Sequence, residues 1–222
     1  MIGYAARIRS GPLSARYASC LRSAPDQPPT DGTTIRNVEL PQLSGGRVTW
    51  TCPSLQLNAE WSAEAPPIQC TLLKSPAGSI EWDCFLPRAR GTIRQGGEEM
   101  AGYGYAECLR LTLPPGQLPF NSLHWGRHVS ELHSLVWIEW DGATAHRSIW
   151  LDGVGQPEAR LTPTGVSGLA NGRSLRFEES RTLRDRPVLG AVAAALPDFA
   201  RRLAGPLGSM REHKRLDRSS IM

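Results

Sequence analysis

Large side chains stand at every second position of the run that begins at Tyr103: Tyr103, Tyr105, Glu107, Leu109, Leu111 and Leu113 alternate with small or polar residues until Pro114-Pro115-Gly116 stops the pattern. A period of two places all six on one face of an extended strand and argues against an amphipathic helix over the same residues. The set Leu55, Leu57, Ala59 and Trp61 alternates in the same way, as does Ile80, Trp82, Cys84 and Leu86. Turn signals fall between such runs. Pro76-Ala77-Gly78 separates a strand at 68–73 from one at 79–86, and Asp141-Gly142-Ala143-Thr144 separates 133–140 from 147–151, so two antiparallel hairpins are expected. Weaker strands are expected around Leu161 and around Leu175 and Phe177.

Helical spacing occurs once, in Val188, Val192, Ala195, Leu196, Phe199 and Leu203, and predicts one C-terminal helix over about 187–203, kinked or split at Pro197. Sequential strands followed by one late helix predict an all-β fold, an antiparallel lipocalin-like barrel or sandwich. A closed barrel would remove exposed sheet edges and enclose an apolar cavity. The expected domain spans residues 37–205. Residues 1–36, with Arg7, Arg9, Arg16 and Arg22 ahead of the first acid at Asp26, read as a poorly ordered basic arm, and 206–222 read as a basic tail. The arm composition suits an organelle transit segment, a disordered leader or a misassigned start equally well.

Charge and cysteine usage narrow the function classes. The 25 basic residues are scattered among 21 acids and only Lys74 and Lys214 are lysine, a distribution that argues against a nucleic-acid partner. No run approaches the roughly 18 apolar residues of a membrane span. The five cysteines, Cys20, Cys52, Cys70, Cys84 and Cys108, form no C-x-x-C pair, so a zinc site is not expected. A reducing, cytoplasmic setting follows as the default, with a Cys52–Cys70 disulfide left open.

The stretch 102–153 carries four of the seven tryptophans and four of the five histidines, which marks it as the place to look for a site. His124, His128 and His133 are spaced by four and five, a helical spacing in a β context, so no metal centre is expected; His128 and His133 are read as turn caps or carbonyl donors. No G-x-S-x-G elbow is present, and Gly102-Tyr103-Gly104 lacks the following helix N-terminus that would hold phosphate. An acid buried on the Tyr105 and Glu107 face would have its pKa raised and could protonate an alkene or enol, with Trp125 stabilising a developing cation. The simpler reading of the same residues is an ion pair between Glu107 and Arg127.

The segments Gly102-Tyr103-Gly104-Tyr105-Ala106-Glu107, Leu123-His124-Trp125-Gly126-Arg127 and Leu135-Val136-Trp137 resemble the lipocalin-related superfamily that contains AttH-like proteins and hydroxyneurosporene synthase, the carotenoid 1,2-hydratase. The resemblance covers about residues 78–153. It implies a β-barrel that binds or transforms apolar isoprenoid-like molecules, with Tyr105 and Glu107 as the tyrosine and acid facing the cavity and Trp125 and Arg127 on the following strand. Glu107 stands where the family has Asp, and no histidine precedes His124. The expectation is therefore a protein binding a small apolar, isoprenoid- or lipid-like molecule. Tyr105 and Glu107 are its candidate catalytic residues, and Tyr103, Trp125, Arg127, His128, His133 and Trp137 its candidate ligand-binding residues. Either it is a cofactor-free hydratase, isomerase or cyclase, or it is a carrier, an accessory module or an incomplete family member.

Overall fold

A computed structural model describes residues 1–24, 27–188, 196–202 and 210–222. The first three strands, β1 (Ile2–Ser10), β2 (Leu13–Arg22) and β3 (Thr30–Thr34), form an antiparallel sheet in that order. Six more, β4 (Gln42–Ser44), β5 (Arg47–Cys52), β6 (Leu57–Ala63), β7 (Ile68–Ser75), β8 (Gly78–Gln95) and β9 (Glu98–Leu111), make a second sheet in the order β4-β5-β6-β8-β7, with β9 also paired to β8. A third runs β10 (Phe120–Val129), β11 (Ser134–Gly142), β12 (His146–Leu151) and β13 (Val154–Gly155). The fourth runs β14 (Arg160–Thr162), β15 (Gly165–Ser167), β16 (Leu175–Pro187) and β17 (Arg211–Ile221).

The fold is thus mainly antiparallel β, and both expected hairpins form. Strand β7 pairs with β8 across Pro76-Ala77, from Ile68 opposite Cys84 to Ser75 opposite Gly78. Strand β11 pairs with β12 from Leu135 opposite Leu151 to Trp140 opposite His146. The described strands make open sheets, and no closed barrel is present among them.

The chain divides into two units, Met1–Glu60 with Thr92–Ala101 and Arg181–Leu216, and Trp61–Gly91 with Gly102–Ser180 and Asp217–Met222. This departs from the single domain expected over 37–205. The second unit is layered. Val136, Ile138 and Trp140 on one face of β11 pack on Ile68, Leu72, Ile80, Trp82 and Cys84 of β7 and β8. Leu135 and Trp137, on its other face, pack with Ile149 and Leu151 against Val166 and Leu175. Strand β11 is buried on both sides, which is why its sequence Leu-Val-Trp-Ile is a continuous apolar run without alternation.

The first unit corrects the arm and the tail. Residues 1–36 contain β1, β2 and β3, and Ala18, Cys20 and Leu21 are almost fully buried with Val48, Trp50 and Leu57 in that unit's core. Ala18, Ser19, Cys20 and Leu21 are buried in succession, so this arginine-bearing segment shows no period of two from which a half-buried strand could be read. Likewise most of 206–222 is β17, beside β16. Its charges are cross-strand partners: buried Arg184 of β16 donates to Glu212 of β17 at 3.0 Å and to Asp31 of β3 at 2.6 Å. Of the helix expected over 187–203, residues 198–202 are helical and 187 ends β16, while 189–195 and 203 lie outside the described residues.

Candidate functional site

Tyr103, Tyr105 and Glu107 share one face of β9, as their spacing requires. Trp125 and Arg127 share one face of β10, opposite Ile138 and Val136 in the register with β11, so they point with those two residues toward Trp82. The outcome is one cluster. The Glu107 carboxylate pairs with the Arg127 guanidinium and accepts a hydrogen bond from the Trp82 indole Nε1 at 2.7 Å. Arg127 lies over the Tyr105 ring, its guanidinium carbon 3.5 Å from the centroid. Trp82 meets Trp125 edge-on with centroids 6.2 Å apart, and Trp150 at 4.9 Å. Tyr103 makes the next contact along β9, with Arg90 over its ring at 4.0 Å.

The electrostatics follow from burial. Only 9% of the Arg127 side chain is exposed, against 22% for Glu107. Desolvation works against the Arg127 charge, but Glu107, with Tyr105 and Cys84 adding to it, more than offsets that and raises the guanidinium pKa above its ordinary value. Beside it, burial pushes the Cys84 thiol up to about 11, which keeps it neutral and unreactive at ordinary pH. One donor in the cluster has no acceptor: the Trp125 indole Nε1 is buried and unpartnered among the described residues. Apolar surface continues outward on the same two faces, where Leu109 and Leu111 of β9 and Leu123 of β10 are 38%, 44% and 36% exposed.

Three of the expected ligand-binding residues are not part of this cluster. Trp137 stands opposite Gly126 on the other face of β10 and β11, where it packs with Phe177 at 5.7 Å. Gly126 has a steric reason: a Cβ there would overlap the Trp137 indole. His128 has the same parity as Gly126 and bonds through Nδ1 with Ser219 Oγ at 2.9 Å; burial, and then His133, lower its pKa. His133 closes the turn before β11, its Nδ1 2.8 Å from Asp152 Oδ2 while Asp152 Oδ1 accepts the Ser134 N–H. The His128 partner is a hydroxyl and the His133 partner a carboxylate, where a turn cap or a backbone carbonyl was expected for each.

Trp82 and Trp150 belong to the cluster but not to the expected site residues, and Trp82 is the one that touches Glu107. Its signal was available: the Gly96-Gly97 turn joins two long alternating runs, and an antiparallel hairpin about that turn brings the region of 82 beside 107–111. On the reverse face of the same strand pair, Arg110 pairs with buried Asp83 and reaches Glu81 at 3.5 Å. Gly104 also has a packing reason, its Cβ position lying 3.0 Å from the Trp61 indole nitrogen. No family model, curated protein or solved structure matches this chain.

Proposed function

We propose that this chain is a lipocalin-related binding protein for a small apolar molecule of isoprenoid or lipid type bearing one hydrogen-bond acceptor, and that it holds its ligand without transforming it. The observation that carries the reading is the unpartnered Trp125 indole N–H beside a tryptophan cluster from which exposed leucines lead outward. A buried donor without an acceptor costs roughly 1–3 kcal/mol, and a ligand oxygen at Nε1 would recover part of it. Apolar area from Leu109, Leu111 and Leu123 would supply the remaining affinity, at about 25 cal/mol per Å² buried.

Glu107 is the reason to favour binding over catalysis. A general acid must carry a proton to donate, whereas Glu107 accepts from both Arg127 and Trp82, the arrangement of a held carboxylate. A long-chain isoprenoid alcohol and a fatty acid, each titrated against intrinsic tryptophan fluorescence and melting temperature, test the reading. At a ligand concentration of 100 times Kd the stabilisation is about 2.7 kcal/mol, and the melting point should rise by roughly 5–10 °C. Trp125→Phe should weaken binding while leaving the unliganded melting point nearly unchanged. No response to either ligand refutes the proposal, and conversion of a bound alkene into a hydrated or rearranged product replaces it with the enzymatic reading.

A further inference from the structure

The β1–β2 hairpin carries three arginines with no acid beside them. Arg7 stands directly opposite Arg16 in the register and Arg9 follows two residues on from Arg7, so all three share one face, and all three are exposed. No carboxylate pairs with any of them among the described residues; Arg16 makes one long bond, 3.4 Å, to the Val38 carbonyl. Desolvation is the largest cause of a lowered Arg7 pKa, and the neighbouring Arg16 and Arg9 charges lower it further. Such an arrangement opposes folding unless something is gained, because like charges directly opposite each other in a sheet repel.

The tip of the same hairpin is uncharged. Gly11, at a φ of +54°, turns the chain with Pro12, and Leu13 follows, half-exposed at 50%. Arg9 lies one rung back from the Ser10–Leu13 rung and the Arg7–Arg16 pair three rungs back. At about 3.4 Å per rung these cations stand roughly 3 and 10 Å behind the apolar tip. That ladder matches the roughly 5–10 Å depth to which interfacial elements sink between lipid headgroups and acyl chains. Behind it, Leu196 and Ala200 pack on Ala15 with Ile8 and Phe199 against them, so the hairpin is braced to within two rungs of its end.

We propose that the β1–β2 hairpin docks end-on at an anionic lipid bilayer, with Leu13 entering the interface and Arg7, Arg9 and Arg16 meeting lipid phosphates. Charge complementarity selects an anionic partner, and an apolar tip without an aromatic or amide side chain favours a bilayer over nucleic acid, whose bases are read by stacking and hydrogen bonding. The hairpin uses none of the residues of the proposed ligand site, so failure here leaves that reading intact.

The test is co-sedimentation of the full chain with vesicles of phosphatidylcholine alone and of phosphatidylcholine mixed with phosphatidylserine. Binding is expected to the mixed vesicles only, and to weaken as salt rises. Each arginine removed should cost about fivefold, so Arg7→Gln, Arg9→Gln and Arg16→Gln together should reduce binding by about 100-fold. The same three positions changed to Lys should bind within a few-fold of wild type, which separates lost charge from lost fold. Leu13→Ser should weaken binding by on the order of tenfold. Equal binding to both vesicle types, no binding to either, undiminished binding of the triple Gln variant, or preferential retention of a DNA duplex would each overturn the proposal.

Discussion

Arg127 touches Glu107 and Tyr105 at once: its guanidinium pairs with the carboxylate and lies 3.5 Å over the centre of the phenol ring. The ring contact is worth about 0.5–2 kcal/mol and does not neutralise the cation, so the ion pair is what makes burial of Arg127 tolerable.

Glu107→Gln is therefore expected to destabilise the protein by about 3–5 kcal/mol, because it leaves a buried guanidinium without its anion. The melting point should fall by roughly 10 °C or more. Adding Arg127→Met to the same variant should recover much of the loss. Denaturant titrations of the two single variants and the double give the coupling directly, and an unchanged stability with abolished turnover would mean that Glu107 is a working acid instead.

Gly126→Ala forces a methyl group into the Trp137 indole. Overpacking of this kind costs about 1–3 kcal/mol, with the added signature of a changed near-ultraviolet circular dichroism as Trp137 shifts against Phe177. Combining it with Trp137→Leu should remove the steric part of the penalty. Equal stability of Gly126→Ala and wild type would show that the strand relaxes around the methyl.

Acid should weaken the second unit through two histidines. Burial, and for His128 also His133, lower the pKa of His128, while burial lowers that of His146, which stacks on Trp140 with centroids 4.1 Å apart. Their native pKa values lie below the ordinary 6.5, so the unfolded chain takes up protons first. Stability is complete above about pH 6.5–7 and declines as pH falls through that value toward the native pKa values. Urea midpoints at pH 7.5 and pH 5.5 measure the effect, and His128→Gln should flatten it. A midpoint that rises on acidification would contradict the assignment.

Removal of residues 1–24 tests the first unit. It deletes β1 and β2 and takes Ala18, Cys20 and Leu21 out of the core around Trp50. The truncated chain should become protease-sensitive between residues 30 and 60 and lose stability, since cavities of this kind cost several kcal/mol. If its melting curve matches that of the full chain, the segment is the loose arm that its composition suggested.

Local periodicity decided the strands and hairpins, because alternation and turn residues act within a few positions of each other and need no partner to be read. The parity rule sets His128 apart from Trp125 and Arg127, since side chains an odd number of positions apart on a strand point to opposite faces, yet the expected ligand-binding set grouped all three. Register was not local. That Trp137 covers Gly126 while Trp82 reaches Glu107 depends on how β10 pairs with β11 and how β8 folds back on β9. Composition misled at both ends, where arginine-rich segments form β1, β2 and β17 because Ala18, Cys20 and Leu21 are buried in one unit's core and because Arg184 finds Asp31 and Glu212 across strands distant in sequence. The tertiary structure alone supplied those partners, and with them the difference between a solvated charge and a buried pair.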